Sequence, residues 1–194
     1  MNFINFMNFL LLMSFSIPIT HQIENINLEK GVFIFIHRAS KTPPHIGMVI
    51  NGLLFEISTS GPGFQQKGID LLKTAQKRGV ELVFIELVSN QSNNMEDNMI
   101  QLVKHYHHVS NEISCLNPVK DFIESTYQIE VKSARFIFEL LPVLYLNHLI
   151  KASYEVNLTH KLIEGQFTLK TYSKEDVNQC IAAVNRKNKS EVNS

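Results

Sequence analysis

The sequence predicts an α+β fold, an antiparallel sheet packed against helices. Two patterns carry that expectation. Asn51-Gly52 stands between the apolar runs His45–Ile50 and Leu53–Ile57, the strongest local signal for a two-residue type I′ hairpin. Strand-like runs such as 80–88 alternate with stretches whose apolar residues recur at helical spacing, as at 64–78 and 95–108. With 194 residues, 44% of them hydrophobic, the chain can bury one sizeable core, and nothing marks a second full domain.

From the N-terminus, Met1 to Thr20 carry no charged side chain, the first being Glu24. The apolar stretch Phe9–Phe15, with Ser14-Phe15-Ser16, resembles a secretory h-region and a small-residue cleavage site. Residues 1–20 are therefore read as a signal peptide or membrane anchor, which implies export to a periplasmic or extracellular compartment and a possible membrane tether. Pro18 and the interspersed Asn residues suit a spanning helix poorly, and a buried amphipathic segment is a further alternative. Residues 21–184 then form the single domain, and 185–194 read as a disordered polar tail.

Within the domain, Ser60-Gly-Pro-Gly63 reads as a loop after the hairpin. Phe64 to Arg78 reads as a helix stopped by Gly79, Val80 to Val88 as a strand, and Met95 to His108 as a second helix. Ser133 to about Lys151 is expected as a long apolar helix kinked or split at Pro142. Tyr154–Leu158 and Gln166–Tyr172 look like strands of a second hairpin around Glu164-Gly165. Ser173-Lys-Glu-Asp176 resembles a capping box opening the last helix, whose apolar side would take Cys180, Ile181 and Val184.

Strand alternation assigns Ile46, Met48, Ile50, Leu53, Phe55 and Ile57 to one apolar face of the first hairpin, the core face. His45, Gly47 and Glu56 share the other. His45 and Glu56 are diagonal neighbours there, within side-chain reach, and Gly47 removes a side chain that would lie between them. A carboxylate beside an imidazole favours the protonated ring and fixes its orientation, although the same pair suits a surface salt link at a sheet end. Ser114-Cys115 precedes the helical pattern Leu116, Val119, Phe122, Ile123, with Pro118 fitting only its first turn. A cysteine at a helix start meets unpaired N–H groups and the positive dipole end, which favour the nucleophilic thiolate, and its own N–H can serve an oxyanion hole. The plain alternative is a small buried apolar residue.

His45, then Glu56, then Cys115 at a helix start is an order that resembles the circularly permuted branch of the NlpC-type papain-like superfamily, which includes the YiiX/YaeF-like amidases and the lecithin retinol acyltransferase-like enzymes. Gly31–Ile36 resembles the strand before the histidine strand, His45–Glu56 the histidine hairpin, and Ser114–Ile123 the nucleophile helix. The resemblance covers roughly residues 31–125 and implies Cys115 as nucleophile, His45 as base and Glu56 as the third catalytic group. It implies a permuted papain-like fold and a thiol hydrolase of amide or ester bonds. Peptides, cell-wall peptides or acyl lipids would be its substrates. Val32 stands where the family has an acidic residue, and Ser114-Cys115-Leu116-Asn117 departs from the acyltransferase motif. A thiol acyltransferase and a non-catalytic envelope-binding module of the same fold are the alternatives.

Charge and motifs narrow the remaining classes. Eighteen basic and 18 acidic residues balance to a formal net charge of zero, with no basic stripe, so nucleic acid is not an expected partner. No phosphate loop, HExxH or CxxC occurs, so no cofactor and no metal are expected. His105-Tyr-His-His108 offers imidazoles that suit a solvated helix end better than a metal, and His107 or His108 is a local alternative base for Cys115. Two cysteines make no disulfide framework, though a Cys115–Cys180 bridge in an oxidising compartment would remove the nucleophile.

Overall fold

The computed structural model describes residues 14–90 and 94–192. Its centre is the antiparallel sheet that the hairpin pattern implies. The strands β2 (Val32–His37), β3 (His45–Ile50), β4 (Leu53–Ser58), β5 (Gly61–Gly63), β6 (Leu82–Leu87) and β7 (Ile150–Val156) form one six-stranded sheet in the order β5-β4-β3-β2-β6-β7. Every pairing in it is antiparallel. β1 (Ser16–Pro18) and β8 (Gln166–Thr168) make a separate two-stranded ribbon. The helices are α1 (Gly68–Arg78), α2 (Met95–Tyr106), α3 (Asn117–Tyr127), α4 (Ile137–Leu146) and α5 (Lys174–Val192).

The β3–β4 turn is type I′, as expected: Asn51 and Gly52 both have positive φ, 46° and 88°, and Ile50 faces Leu53. Alternation then sorts the side chains. Ile46, Met48, Ile50, Phe55 and Ile57 enter one core layer together with the buried faces of α2, α3 and α4. Leu53, next to the turn on the same face, is 37% exposed. The opposite face is also covered: Val49, Leu54, Phe33, Phe35 and Phe84 pack with Leu72 and Ala75 of α1. The sheet is the middle of three layers, so its rows read as nearly continuous hydrophobic runs rather than strict alternation.

Several elements differ from the sequence reading, each for a physical reason. Gly61–Gly63 is not a loop but a short edge strand, where Pro62 needs no ladder partner on its solvent side. The expected helix over 133–151 is shorter, and Ile150 and Lys151 instead open β7, which completes the sheet beside β6. Pro142 lies inside α4 without ending it. Tyr154–Leu158 and Gln166–Tyr172 do not pair with one another: β7 joins β6, and β8 finds its partner in β1. The expected leader is thus part of the folded body from residue 14 onward, with Ile17 2% exposed in the core. Residues 1–13 lie outside the described part, and among the described residues no helix is long and apolar enough to cross a membrane. Helix α5 runs to Val192, through most of the stretch expected as a disordered tail. Its start is the capping box of the sequence reading: the Asp176 carboxylate accepts from Ser173 N–H and Oγ–H, and Ser173 Oγ accepts from Asp176 N–H.

Candidate active site

Cys115 reaches the sheet through the chain before it. After α2 ends, Val109 N–H donates to Ser58 O at 2.9 Å, docking the following segment on the far end of β4. Ser110 and Ile113 close a local turn there through paired backbone and hydroxyl contacts. The helix then starts two residues later than the sequence suggests: α3 begins at Asn117, and Cys115 belongs to the turn before it. Ser114 is not the helix cap, and its N–H and Oγ–H both donate to Asn117 Oδ1, at 2.9 and 2.7 Å. Pro118 occupies the first turn, where its missing N–H costs nothing.

Packing fixes that turn. Leu116, Val119, Phe122 and Ile123 are at most 3% exposed, and burying each such side chain contributes about 1.5–3 kcal/mol. The Tyr106 hydroxyl of α2 donates to the Asp121 carboxylate at 2.5 Å, and Tyr127 donates to Val88 O at 3.0 Å. Helix α3 is therefore held from α2 and from the end of β6 at once.

His45 and Glu56 meet as the register implies, with His45 Nε2 2.7 Å from Glu56 Oε2. Two glycines make the room. A Cβ on Gly47 would come within 2.5 Å of the Phe35 ring and 2.6 Å of Phe55 O, so the ring of Phe35, rather than open space, fills the gap and stands 6.0 Å from the His45 ring. A Cβ on Gly63, opposite Glu56 in β5, would lie 3.1 Å from Glu56 Cγ.

With Nε2 engaged by Glu56, Nδ1 is the ring nitrogen free to face sulfur. Burial works against a charged His45 ring, but hydrogen bonding to Cys115 and to Glu56, with the negative charge of both, outweighs it and pushes the pKa up to about 10. Burial also opposes ionisation of Glu56, yet the bond to His45 and the charges of His45 and His37 hold its carboxyl below the ordinary value. Cys115 lines the same cleft as the His45–Glu56 pair, so thiol, imidazole and carboxylate share one cavity. His107 and His108, the alternative bases, are not among the groups that surround the sulfur's cleft.

That cleft is about 740 Å³ and mainly apolar, with Phe35, Leu71, Phe136 and Ile181 lining it beside Cys115, His45 and Glu56. Both cysteines are free, and Cys180, expected in the core, is exposed because α5 turns it to the mouth of the same cleft. Two residues of the site escape the sequence reading. His37 ends β2 directly across from His45, with the rings edge-on and 6.5 Å apart. Its place after a strand run was visible, its partner was not. Tyr172 lines the cleft between the end of β8 and α5 and carried no sequence signal. Among the described residues no cluster of His, Cys, Asp and Glu has the form of a metal site.

The architecture defines an α+β protein, an antiparallel sheet with helices on both faces. No protein-family model, no curated protein and no solved structure matches the chain.

Proposed function

We propose that this protein is a cysteine-dependent hydrolase of amide or ester bonds, acting through a thioester acyl-enzyme on a permuted papain-like scaffold. The observation that carries this reading is the His45–Glu56 pair lining one open cleft together with Cys115. The Cys115 sulfur attacks the carbonyl carbon, forming a C–S bond while the carbonyl π electrons move to oxygen. Collapse of that adduct expels the amine or alcohol, which takes the proton from His45. Water, deprotonated by His45, then adds to the thioester, and collapse of that adduct releases the acid and restores the thiolate–imidazolium pair. Glu56 keeps the imidazole oriented and stabilises its charge, the part a carboxylate plays in such triads.

A second reading, acyl transfer to a nucleophile other than water, is favoured by the apolar walls of the cleft, which would shelter an acyl chain and exclude water. Peptides, cell-wall peptides and acyl lipids are the candidate substrates, and export, with the chain ahead of β1 as its leader or tether, is part of the proposal.

Alkylation by iodoacetamide at pH 6, read by mass spectrometry, tests it with an internal reference. Cys115 should label at least about tenfold faster than the exposed Cys180, and His45→Ala should erase the difference. Equal, slow labelling of the two thiols in both proteins would turn the reading toward a non-catalytic binding module.

A further inference from the structure

The cleft carries an imbalance of charge that the proposed chemistry does not use. Four cations, Arg38, Lys120, Arg135 and Lys174, line it against two carboxylates, Glu56 and Glu112. Two of these charges are already answered: Glu56 is taken by His45, and the Arg135 guanidinium stands 3.9 Å from the Glu139 carboxylate. Lys120 and Lys174 donate to the backbone carbonyls of Lys132 and Asn111, which are neutral and leave both ammonium charges uncompensated. The Arg38 guanidinium has no carboxylate partner among the described residues. Three uncompensated cations thus face one carboxylate, Glu112, in a chain whose formal net charge is zero. Positive charge is gathered at this cavity rather than spread over the protein.

Of the three cations, Arg38 has the most firmly built position. It follows His37 at the end of β2 with φ 56°, a left-handed conformation that a residue with a Cβ adopts only when its surroundings impose it. The surroundings do so here. The N–H groups of Arg38 and Ala39 both donate to Glu81 O, at 2.7 and 3.3 Å, and Lys41 N–H closes a turn on Arg38 O at 2.8 Å. Ala39 is buried, and the Glu81 carboxylate is held by the Ser40 hydroxyl and the Lys161 ammonium. The charge that this turn presents also reaches the neighbouring ring: after burial and the charge of His45, Arg38 helps to lower the pKa of His37.

We propose that the cleft takes an anionic amphiphile, an alkyl or acyl chain bearing a carboxylate or phosphate head, and that Arg38 determines this specificity by binding the head. The apolar lining of Phe35, Leu71, Phe136 and Ile181 receives the chain, whose burial removes hydrocarbon from water. A guanidinium offers two parallel N–H donors that match the oxygens of either head group. A neutral chain of the same length meets the same walls without that partner, and a cationic one is repelled. Use of the bound molecule as an acyl donor rests on the thiol-hydrolase reading, whereas its binding does not.

Isothermal titration calorimetry on the full chain tests the assignment without turnover, using octanoate, octyl phosphate, 1-octanol and octyltrimethylammonium below their aggregation concentrations. At least one of the two anions should bind about tenfold or more tightly than 1-octanol, the gain expected of a hydrogen bond between charged groups, and octyltrimethylammonium should bind most weakly. The tighter anion identifies the head group. Arg38→Gln should bring both anions to within about twofold of 1-octanol while leaving the affinity for 1-octanol unchanged, and Arg38→Lys, which keeps the charge but not the fork, should retain part of the preference. Equal affinities for all four compounds in the parent would overturn the proposal, as would an anion preference that survives intact in Arg38→Gln. The hydrolase reading fails separately: an anion preference that depends on Arg38, in a protein that p-nitrophenyl hexanoate does not acylate at Cys115, would uphold the binding site and remove the acyl chemistry.

Discussion

His37 and His45 face each other across the β2–β3 ladder, rings edge-on at 6.5 Å, and carry opposite protonation preferences. His45 is held charged. His37 is pulled the other way, first by burial, then by the positive charges of His45 and Arg38, against a smaller opposing effect of Glu56. In proton NMR, the His37 ring should titrate below 6.5, and its midpoint should move upward in His45→Gln, where one repelling charge is gone. A midpoint that stays put or falls would show that the two rings do not sense each other.

The His45–Glu56 pair makes stability depend on pH in a defined window. The folded pKa of His45 lies above the ordinary 6.5, so its contribution is whole below pH 6.5 and is lost as pH rises toward about 10. For Glu56 the folded pKa lies below the ordinary 4.5, so its contribution is whole above pH 4.5 and is lost as pH falls through the lowered value. The melting-temperature gap between the parent and His45→Gln should therefore be widest between pH 4.5 and 6.5 and narrow on both sides. A gap that is flat with pH would remove the pair as its source.

Glu56→Gln keeps the shape of the third group and removes its charge. Acylation by an activated ester should fall by about 10²- to 10⁴-fold with little change in KM, the range expected when the imidazole loses its orienting carboxylate. Parent-like rates would reduce Glu56 to a salt link at a sheet end, the plain reading that the hairpin also allows.

Gly47→Ala should destabilise the fold and disturb the site together. The new Cβ would meet Phe35 and the Phe55 carbonyl at 2.5–2.6 Å, and the carbonyl is backbone that cannot swing aside. Overpacking of this kind costs about 1–3 kcal/mol, measurable by chemical denaturation. Unchanged stability would mean that β3 and β4 separate more easily than their ladder suggests.

Cys180→Ser is the complementary control. Cys180 is exposed, so stability should stay within about 0.5 kcal/mol, and acylation should be unaffected, whereas Cys115→Ser should abolish it. Loss of acylation in Cys180→Ser would assign the chemistry to the wrong thiol.

What the sequence disclosed followed the reach of its signals. The β3–β4 hairpin was legible because Asn51-Gly52 fixes turn and register within a dozen residues, and from that register the His45–Glu56 contact follows by counting. Gly79, in the left-handed conformation at the end of α1, was likewise a local stop signal. Partners far along the chain were not legible. Nothing local distinguishes Ile150-Lys151 as the start of β7 from the end of a helix, since only the free edge of β6 decides it. The pairing of β8 with β1 joins Thr168 to Ser16, and no turn motif announces it. Cys180 is exposed although it sits on the apolar side of its helix, because α5 lends part of that side to the cleft. His37 and Tyr172 gain meaning only from what stands opposite them.

Cys115 lies in a turn and owes its position to the buried face of α3 behind it, while His45, its proposed base, belongs to the sheet. Thiol reactivity is consequently a reporter of the seam between those two bodies. Any excursion that lifts α3 from the sheet parts sulfur from imidazolium before the helix itself unwinds, so the fast alkylation of the native state would fade at denaturant concentrations where circular dichroism is still unchanged. The nucleophile would then record the earliest loosening of the fold, and a ligand that clamps α3 to the sheet would extend the range over which the protein stays reactive.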